Sequence, residues 1–597
     1  MHRLFPPWLG ELRDWTTVRR DLTAGVTVAL VAIPQAMAVS QLAGLPPHYG
    51  LYSAFIPPIV AVFFGSSRRL VTGPVAIISL MTATALQSFP GLDATTWISC
   101  AIILALMVGV IQLLLGFCRL GALVNLLAHP VIVGFTSAAA IVIAGSELEN
   151  ALGVAAPHHD WFLFTLYETV LQAFEGVHIP TVGMTCFSLA TIILMSRFAP
   201  RLPVLLITVI GATTLSWAGG FEEAGGSVVG VIPQGLPRPT LPRVDPSLLL
   251  KLAPAALTIA LLGFAEAISI AKAMALQTRR RLDPNRELIG QGLANLVGGV
   301  FQCFPVSGSF TRSAVNLRSK ALTGLSSMTS GFMVAFLLLF FTPLLYHLPR
   351  ATLSAVIMAA VIGLVRLHPI QHAWKVHYHD GAVATATLVV NLVVAPRFDI
   401  GILVGILLAV GLYVLRTMRP KVAELGRHPD GTLRDAEVHD LAVCESITMI
   451  RFDGSLYFVS TSYFENKVLQ RIADKPDLKF FILAAGGINR IDSTGEQSLR
   501  NLVRRLRSGG VTVLFAGMKN RPLKLLRRSG LYGELGNERF FRTGERALRY
   551  AWKQLGADHE RHCPLRRRQR SGTAPEPPDA KKMRQQPPAP PDQPSHG

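Results

Sequence analysis

The sequence predicts a polytopic α-helical membrane protein that ends in a small α/β domain, and three observations support this fold class. Half of the 597 residues are hydrophobic and only 16% are charged, whereas about 25% of the residues of a typical soluble protein are charged. Apolar runs of about the 20 residues that a helix needs to cross a bilayer recur between residues 22 and 416. Beyond Arg416, short apolar strands alternate with amphipathic helices, as in a soluble α/β fold.

The apolar runs form two sets of seven, which predicts fourteen spans in a transmembrane domain at 21–418, with repeats at about 21–219 and 252–418. The first set comprises 22–40, 49–65, 73–88, 97–117, 128–147, 178–197 and 202–219. The second set comprises 252–276, 285–300, 311–320, 322–345, 351–366, 380–396 and 398–416. The third run of each set is short or interrupted near its start. Paired, interrupted hydrophobic segments at corresponding positions are typical of inverted-repeat transporters.

We expect the protein to lie in the inner or plasma membrane of the cell. The distribution of basic residues predicts that residues 1–20 and the C-terminal end are on the cytoplasmic side. No Lys or Arg occurs in the predicted external loops 41–48, 89–96 and 148–177. The opposite loops contain Arg68, Arg69, Arg119, Arg197, Arg201, Lys272, Arg279, Arg280, Arg281, Arg286, Arg318, Lys320, Arg366 and Lys375. Cytoplasmic loops are enriched in Lys and Arg, which accounts for the net charge of +20 without a nucleic-acid partner. The acidic, apolar segment 160–175, which includes Asp160, is interpreted as an interfacial helix.

The soluble domain is predicted over residues 438–555, and residues 558–597 are predicted to be a disordered Pro- and Arg-rich tail. The expected strands are Ile447–Phe452, Lys479–Ala484 and Val511–Ala516, and the expected helices are 495–507 and 522–529. The six cysteines are scattered without C-x-x-C spacing, so the sequence predicts neither a disulfide framework nor a zinc site. We expect no metal and no organic cofactor.

The two interrupted segments predict two half-helices whose N-termini meet in the middle of the membrane. One helix begins near Val75 after Gly73-Pro74, and the other begins near Thr311 after Gly308-Ser309. A helix N-terminus carries unsatisfied N–H groups and about half a positive charge, so two facing N-termini suit an anion. Arg312 adds a cation at the same place. Simpler interpretations stay open, namely that Gly73-Pro74 is an ordinary helix start and that Arg312 is a loop residue that snorkels.

Two further polar residues lie inside predicted spans. Glu266 stands in the middle of an apolar run, where a charge costs about 2.5–3 kcal/mol and usually has a function. We interpret Glu266 as a proton-coupling carboxylate, with a structural partner for Arg312 or a helix-packing contact as the alternative. Gln35 follows Ile33-Pro34 in the first span and is interpreted as a hydrogen-bond donor to the anion, with packing between helices as the alternative.

Four long segments of the membrane domain carry ordered motifs of a known family. They read DLTAGVTVALVAIPQAMAVSQLAGLPPHYGLYSAFIPP, GSSRRLVTGPVAIISL, GFAEAISIAKAMA and NRELIGQGLANLVGGVFQCFPVSGSFTRSAVNLRSKALTGLSS. These segments resemble the SulP anion transporters, the sulfate permease family, whose members carry a C-terminal STAS domain. The resemblance extends from about Asp21 to Leu555, and its motifs are long and specific.

This resemblance implies a 7+7 inverted repeat, an elevator-like movement of a core domain against a gate domain, and a homodimer. By position, it implies an anion site at Gln35, Gly73, Pro74, Val75, Ala76, Ser309, Phe310, Thr311 and Arg312, with Glu266 as the coupling acid. Many members have an aromatic residue four positions after the glutamine, where this chain has Val39. Sodium-coupled bicarbonate members tend to have Asp followed four residues later by Thr, where this chain has Glu266 and Ile270. This difference favours proton-coupled sulfate transport.

One loop of the soluble domain has a second resemblance. Ile491-Asp492-Ser493-Thr494-Gly495 is similar to the STAS loop of anti-sigma-factor antagonists, in which a serine after an aspartate is phosphorylated. Ser493 is therefore a candidate regulatory phosphorylation site, although helix capping also favours Asp and Ser at this position. The domain is expected to serve dimerisation and regulation.

The leading functional hypothesis is sulfate:proton symport. The alternatives are symport of bicarbonate or a C4-dicarboxylate, exchange of chloride for another anion, and a sensor that signals through the STAS domain. No nucleophile–base pair, metal motif or phosphate loop stands out, so an enzyme is not expected. The expected partners are an inorganic anion, a proton, the lipid bilayer and a second copy of the chain.

Overall fold

The computed structural model describes residues 7–87, 89, 91–121, 128–155, 157, 159, 161–199, 202–242, 246–278, 281–395 and 397–566. Asp160, Arg201, Arg279 and Arg280 of the predicted loops, and residues 567–597 of the predicted tail, lie outside these ranges. The chain divides into two compact units, of which the first ends at Val410 and the second begins at Gly411.

The first unit is helical, apart from two very short strands, and its last helix continues into the second unit. The helices are α1 (Trp15–Leu42), α2 (Pro47–Phe64), α3 (Ala76–Gln87), α4 (Ala94–Phe117), α5 (His129–Ser146), α6 (Leu148–Leu152), α7 (Phe162–Glu175), α8 (Ile179–Phe198), α9 (Val204–Ala218), α10 (Pro246–Thr278), α11 (Pro284–Val300), α12 (Phe310–Arg318), α13 (Leu325–Phe340), α14 (Arg350–Ile362), α15 (Leu367–Val376), α16 (Tyr378–Val394) and α17 (Phe398–Met418). The strands are β1 (Thr72–Gly73) and β2 (Ser307–Gly308).

Seven described helical stretches are long and apolar enough to cross a membrane. They are α1, α4, α5 with α6, α8, most of α10, α14 with α15, and Ile400–Met418 of α17. Helices α3, α9, α13 and α16 are apolar but shorter. The predicted number of fourteen spans therefore stays a prediction, as does the interfacial location of α7, which is a helix as expected.

The two interrupted runs are short helices, as predicted. Helix α3 has 12 residues and α12 has 9, which at a rise of 1.5 Å per residue corresponds to about 18 and about 14 Å. Either is well below the hydrocarbon thickness of about 30 Å. Helix α12 begins at a defined cap, because the side chain of Ser309 accepts a hydrogen bond from the Arg312 N–H at 3.4 Å.

Glycines allow the helices around the short strands to pack closely. A side chain at Gly25 of α1 would lie 2.6 Å from the carbonyl oxygen of Ser326 in α13. A side chain at Gly109 of α4 would lie 2.6 Å from the backbone nitrogen of Leu296 in α11. Small residues at helix crossings are the usual means of tight packing inside a membrane. Helices α1 with α13 and α4 with α11 therefore form close pairs.

The second unit contains an α/β sheet. Its strands are β3 (Lys421–Arg427), β4 (Leu433–Asp435), β5 (Ile447–Leu456), β6 (Phe480–Ala484), β7 (Ile488–Ile491), β8 (Thr512–Ala516) and β9 (Phe540–Phe541). Its helices are α18 (Thr461–Ala473), α19 (Ser493–Ser508), α20 (Asn520–Arg528), α21 (Leu531–Leu535), α22 (Gly544–Leu555) and α23 (Ala557–His562). The strand order is β4-β3-β5-β6-β8-β9, and β7 pairs with β5. Strands β5, β6, β8 and β9 are parallel, and β3 is antiparallel to β5.

Alternate residues along the central strands face two separate cores. Phe481 and Leu483 of β6 join the core that includes α18 and α19, whereas Phe480 and Ile482 join the core that includes α22. This alternation is the period-two pattern of a strand buried on both faces. The three predicted strands and the two predicted helices are confirmed with small changes at their ends.

The folded second unit extends beyond the predicted soluble domain at both ends. Strand β3 pairs with β5, so the folded domain begins near Lys421 rather than at 438. The predicted start of the disordered tail at 558 is wrong, because α23 occupies Ala557–His562 and Leu565 is 1% exposed. The composition of this segment is polar, but Cys563 and Leu565 are buried in the core that includes α22 and hold the segment against the sheet.

Candidate functional site

Strands β1 and β2 form a two-residue antiparallel ladder from which both half-helices begin. Thr72 pairs with Gly308 and Gly73 pairs with Ser307. Two further bonds extend this link, because Ser309 N–H donates to the Val71 carbonyl at 2.9 Å and Val71 N–H donates to the Ser313 hydroxyl at 2.9 Å. The N-termini of α3 and α12 are thus held beside each other by residues of both predicted repeats.

Arg312, in the first turn of α12, lies across this ladder. It is 1% exposed, and its Nη2 donates to the Pro74 carbonyl at 2.6 Å. A Cβ atom at Gly73 would lie 2.5 Å from Nη1, and the backbone of Gly73 has a φ of +157°. Glycine at position 73 therefore makes room for the guanidinium, and Arg312 belongs to the buried interior rather than to a loop surface.

Several buried polar atoms near the half-helices have no hydrogen-bond partner among the described residues. They include Nε of Arg312, Oε2 of Glu266 and Oε1 of Gln35. A guanidinium has five N–H donors, so Arg312 keeps donor capacity after its bond to Pro74. The charges of Glu266 and Arg312 are close enough to influence each other, but the two side chains make no direct ion pair among the described residues.

Helix α10 brings Glu266 to the ladder. The Ser307 hydroxyl of β2 donates to the carbonyl of Gly263 at 2.6 Å. Gly263 lies three residues before Glu266 in α10. Gln35 lies in α1, which packs against α3 and α12. No hydrogen bond among the described residues joins Gln35 or Glu266 to Arg312.

The remaining predicted site residues separate into buried and exposed positions. Val75 is buried and Ala76 is partly buried. Thr311 and Phe310 are exposed, Phe310 by 51%, and the Arg366 guanidinium lies 5.8 Å from the centroid of the Phe310 ring. Direct contacts therefore join Gly73, Pro74, Ser309 and Arg312. Phe310 and Thr311 lie on the exposed face of the first turn of α12.

A polar face of α11, which we had not assigned, holds the extended segment before β1. Glu287 Oε2 accepts hydrogen bonds from the backbone N–H groups of Ser66 and Ser67 at 2.9 and 2.8 Å. Gln291 donates to the Thr72 hydroxyl at 2.8 Å. Both Glu287 and Gln291 are buried, whereas Ser66 and Ser67 are partly buried. These bonds fix the path of the chain into β1.

The same face of α11 also holds the segment before β2. Asn295 accepts from the Val306 N–H at 2.8 Å and donates to the Val306 carbonyl at 3.1 Å. It also donates to Gln112 of α4 at 3.2 Å. Glu287, Gln291 and Asn295 are spaced four residues apart, which places them on one helix face. That spacing is the sequence signal that identifies them.

Asp21 has a similar supporting role at the other end of α12. It is fully buried, and its carboxylate accepts hydrogen bonds from the backbone of Leu322 and Thr323 and from the Thr323 hydroxyl. The chain between α12 and α13 is therefore tied to α1. We had treated Asp21 only as the edge of the first apolar run.

A cavity of about 340 Å³ lies beside the segment that leads to β1, and four arginines line part of it. They are Arg68, Arg69, Arg281 and Arg286. None of the predicted anion-site residues lines this cavity. It is a basic crevice that is separate from the residues of the predicted anion site.

In the second unit, Ser493 is the exposed first residue of α19. Asp492 caps this helix by accepting from the Gly495 N–H at 2.7 Å, and its other oxygen accepts from the Phe458 N–H at 2.9 Å. A phosphate on Ser493 would lie at a helix N-terminus, where negative charge is favourable.

Two family descriptions match the chain. Residues 18–387 match the sulfate permease family, and residues 439–547 match the STAS domain. Sulfate transporter 4.1, chloroplastic, of Arabidopsis thaliana is 33% identical over 90% of this chain and 81% of its own length. A probable sulfate transporter of Mycobacterium tuberculosis is 31% identical over 89% of this chain and 94% of its own. Human solute carrier family 26 member 6 is 33% identical over 78% of this chain and 64% of its own length.

Solved structures share the fold at lower identity. The murine Slc26a9 anion transporter in the inward-facing state matches with a TM-score of 0.86 and 22% identity, over 93% of this chain and 94% of that one. The transmembrane domain of the cyanobacterial bicarbonate transporter BicA matches with a TM-score of 0.59 and 24% identity, over 67% of this chain and 98% of that one. These likenesses concern the fold, and they confirm the predicted fold class.

Proposed function

This chain belongs to the sulfate permease family, and we propose that it is a secondary active transporter that carries sulfate together with protons across the cell membrane. Anion transport is the common feature of the relatives. The observation that supports an anion site in this chain is the buried guanidinium of Arg312, set between two helix N-termini with donor capacity to spare.

Three groups of this chain would bind the anion. The backbone N–H groups at the starts of α3 and α12 offer donors and partial positive charge. Arg312 offers a full charge in a water-poor environment, where a charge-assisted hydrogen bond is strong. The proposed anion site is completed by Gln35 and by residues at the starts of both half-helices, including Val75, Ala76, Phe310 and Thr311. Sulfate has four acceptor oxygens, which suits the N–H donors of the two helix starts and of Arg312.

Glu266 is the proposed proton carrier. An ionised carboxylate near Arg312 competes with the anion for the same positive charge, and it repels a dianion directly. Protonation of Glu266 removes that repulsion without moving any helix. Anion binding and proton binding therefore favour each other, and by linkage the effect is reciprocal. Such reciprocity is what a symporter requires.

The half-helices are proposed to move together with the helices that fix them. The polar face of α11 binds both extended segments, and α11 packs against α2 and α4 while α1 packs against α13. A second set of contacts joins α5 with α16 and α8 with α14. We assign α1–α4 and α10–α13 to a moving core and the other membrane helices to a gate, in an elevator-like cycle.

The soluble unit, with Ser493 as its candidate phosphorylation site, is proposed to regulate the transporter and to support a homodimer with both chain termini in the cytoplasm. No enzymatic step is proposed.

Uptake into proteoliposomes tests the proposal. Labelled sulfate, bicarbonate and succinate are compared under an imposed proton gradient, an imposed sodium gradient and neither. We expect sulfate accumulation that follows the proton gradient and disappears with a protonophore. Accumulation of bicarbonate driven by sodium, or anion movement only in exchange for chloride, would replace this proposal with one of the alternatives.

A further inference from the structure

Three metal-binding side chains converge at the edge of the second unit, although they are far apart in the sequence. Cys444 precedes β5, His559 lies in α23 and Cys563 directly follows α23. The Cys444 sulfur lies 3.5 Å from His559 Nε2, and the three potential ligand atoms all lie within 4.8 Å of one another. Ligands of one tetrahedral zinc ion are separated by similar distances, since each bond is about 2.0–2.3 Å long.

The cluster is enclosed on its cysteine side. Cys444 is 3% exposed and Cys563 is 6% exposed, and both belong to the core formed by β5, β6 and α22. His559 is partly exposed. His559 and Cys563 are four residues apart, and the Cys563 N–H donates to the His559 carbonyl at 3.0 Å, so the end of α23 holds the two residues on one side. The position of α23 thus brings His559 and Cys563 to Cys444.

Trp552 supplies an independent sign of a ligand. It is 3% exposed and belongs to the same core as both cysteines, and its Nε1 has no hydrogen-bond partner among the described residues. A buried indole N–H is costly when unpaired, and a negatively charged sulfur is a better acceptor than a thiol.

The backbone at Cys444 is fixed by a buried lysine. Lys475 Nζ donates to the Cys444 carbonyl at 2.9 Å, to the Thr448 hydroxyl at 3.1 Å and to Glu424 at 2.5 Å. The lysine charge is thereby paired with the Glu424 carboxylate rather than directed at the sulfur. A positive charge next to a metal ligand would weaken metal binding, and this pairing avoids it.

We propose that Cys444, His559 and Cys563 bind a zinc ion, with a fourth position open to water or to another ligand. Two thiolates and one imidazole are a donor set that zinc and related borderline-soft metals prefer. The ion would join the start of β5 to the C-terminal helix α23, and it would thus fix the end of the folded domain. This proposal is independent of the proposed transport function.

The test uses the full-length protein, purified in detergent with a reductant and without chelators. Zinc per chain is measured by inductively coupled plasma mass spectrometry, and the zinc is then exchanged for Co²⁺ for absorption spectroscopy. We expect about one zinc ion per chain and a thiolate-to-cobalt charge-transfer band in the near ultraviolet. The variants Cys444→Ser and His559→Gln should lose most of the zinc. His562→Gln, in the same helix, and Cys118→Ser, at an exposed free cysteine, should keep it.

Two measurements keep the test decisive if a variant folds poorly. His559→Cys preserves a complete set of three ligands and should retain zinc, and the cobalt spectrum of the unaltered protein does not depend on any variant. Three results would overturn the proposal. They are an unaltered protein without zinc and without the cobalt–thiolate band, a Cys444→Ser variant with full zinc content, and a Cys444–Cys563 disulfide in the purified protein.

Discussion

The guanidinium of Arg312 lies where a side chain at Gly73 would have to be placed. A Cβ atom at position 73 would approach Nη1 to 2.5 Å and Cζ to 3.1 Å. These two residues belong to different predicted repeats, and the arginine also bonds to the next carbonyl, that of Pro74. The shape of the proposed anion site therefore depends on the absence of a side chain in one repeat and the presence of a charge in the other.

Gly73→Ala should displace Arg312 and weaken anion binding. The substitution also places a side chain on a backbone at φ +157°, a strain of about 1–3 kcal/mol. We expect the Kd for sulfate to rise by about ten-fold or more, measured by isothermal titration calorimetry in detergent. Gly91→Ala is the matched control, because Gly91 has a positive φ but no atoms near its Cβ position. Equal affinity in Gly73→Ala and the unaltered protein would contradict the proposed role.

Arg312→Ala should weaken anion binding without unfolding the protein. A hydrogen bond to a charged group contributes about 1.5–3 kcal/mol, which corresponds to a roughly ten- to hundred-fold loss of affinity. Arg318→Ala, in the exposed last turn of the same helix, should bind sulfate normally. If both variants bind equally well, the positive charge that attracts the anion lies elsewhere.

Glu266→Gln should separate coupling from binding. The amide resembles the protonated acid, so sulfate binding and sulfate–sulfate exchange should persist while accumulation driven by a proton gradient disappears. Proteoliposome uptake with and without the gradient measures both activities in one preparation. A purely structural pairing of Glu266 with Arg312 predicts instead that both variants lose binding alike. Undiminished proton-driven accumulation by Glu266→Gln would refute the coupling role.

Glu287→Ala should destabilise the membrane unit and abolish transport. The substitution removes the acceptor of two partly buried backbone N–H groups, those of Ser66 and Ser67. The free energy of unfolding should fall by at least about 1.5–3 kcal/mol, observed as a lower apparent Tm in a thermal-shift assay. Glu222→Ala, at an exposed position, is the control. An unchanged Tm would mean that water replaces the carboxylate.

Cysteine labelling should place α7 and the second unit on opposite sides of the membrane. In a protein in which the exposed Cys118 and Cys186 are serine, Phe174→Cys in α7 should react with an impermeant maleimide from outside intact cells. Ser493→Cys should react only after permeabilisation. Reaction of Ser493→Cys from outside would exclude a cytoplasmic soluble domain.

The half-helices and the central strands were predictable because local chemistry determines them. Gly73-Pro74 and Gly308-Ser309 interrupt apolar runs, and strands such as Phe480–Ala484 are short apolar runs between turns. Strand β3 was missed because its sequence, KVAELGR, has few apolar residues and gains its place only by pairing with β5.

The residues that hold the half-helices in place were harder to predict, because they bond to backbone atoms that are distant in the sequence. Glu287 binds N–H groups 220 and 221 residues away, and nothing near Glu287 in the sequence indicates which segment will reach it. The cluster of Cys444 with His559 and Cys563 has the same character. No metal site was predicted, because Cys444 lies 115 residues from His559 and the cysteines show no C-x-x-C spacing.

The two-strand ladder also has a consequence for biosynthesis. The bond between Arg312 and Pro74 joins residues 238 positions apart. At a translation rate of about 5–20 residues per second, the ribosome needs on the order of ten seconds or more to make the intervening chain. During that interval strand β1 (Thr72–Gly73) is already made but lacks its partner strand. The nascent first repeat must therefore wait in the membrane, with unpaired backbone groups sheltered by neighbouring helices or insertion factors, until the second repeat arrives.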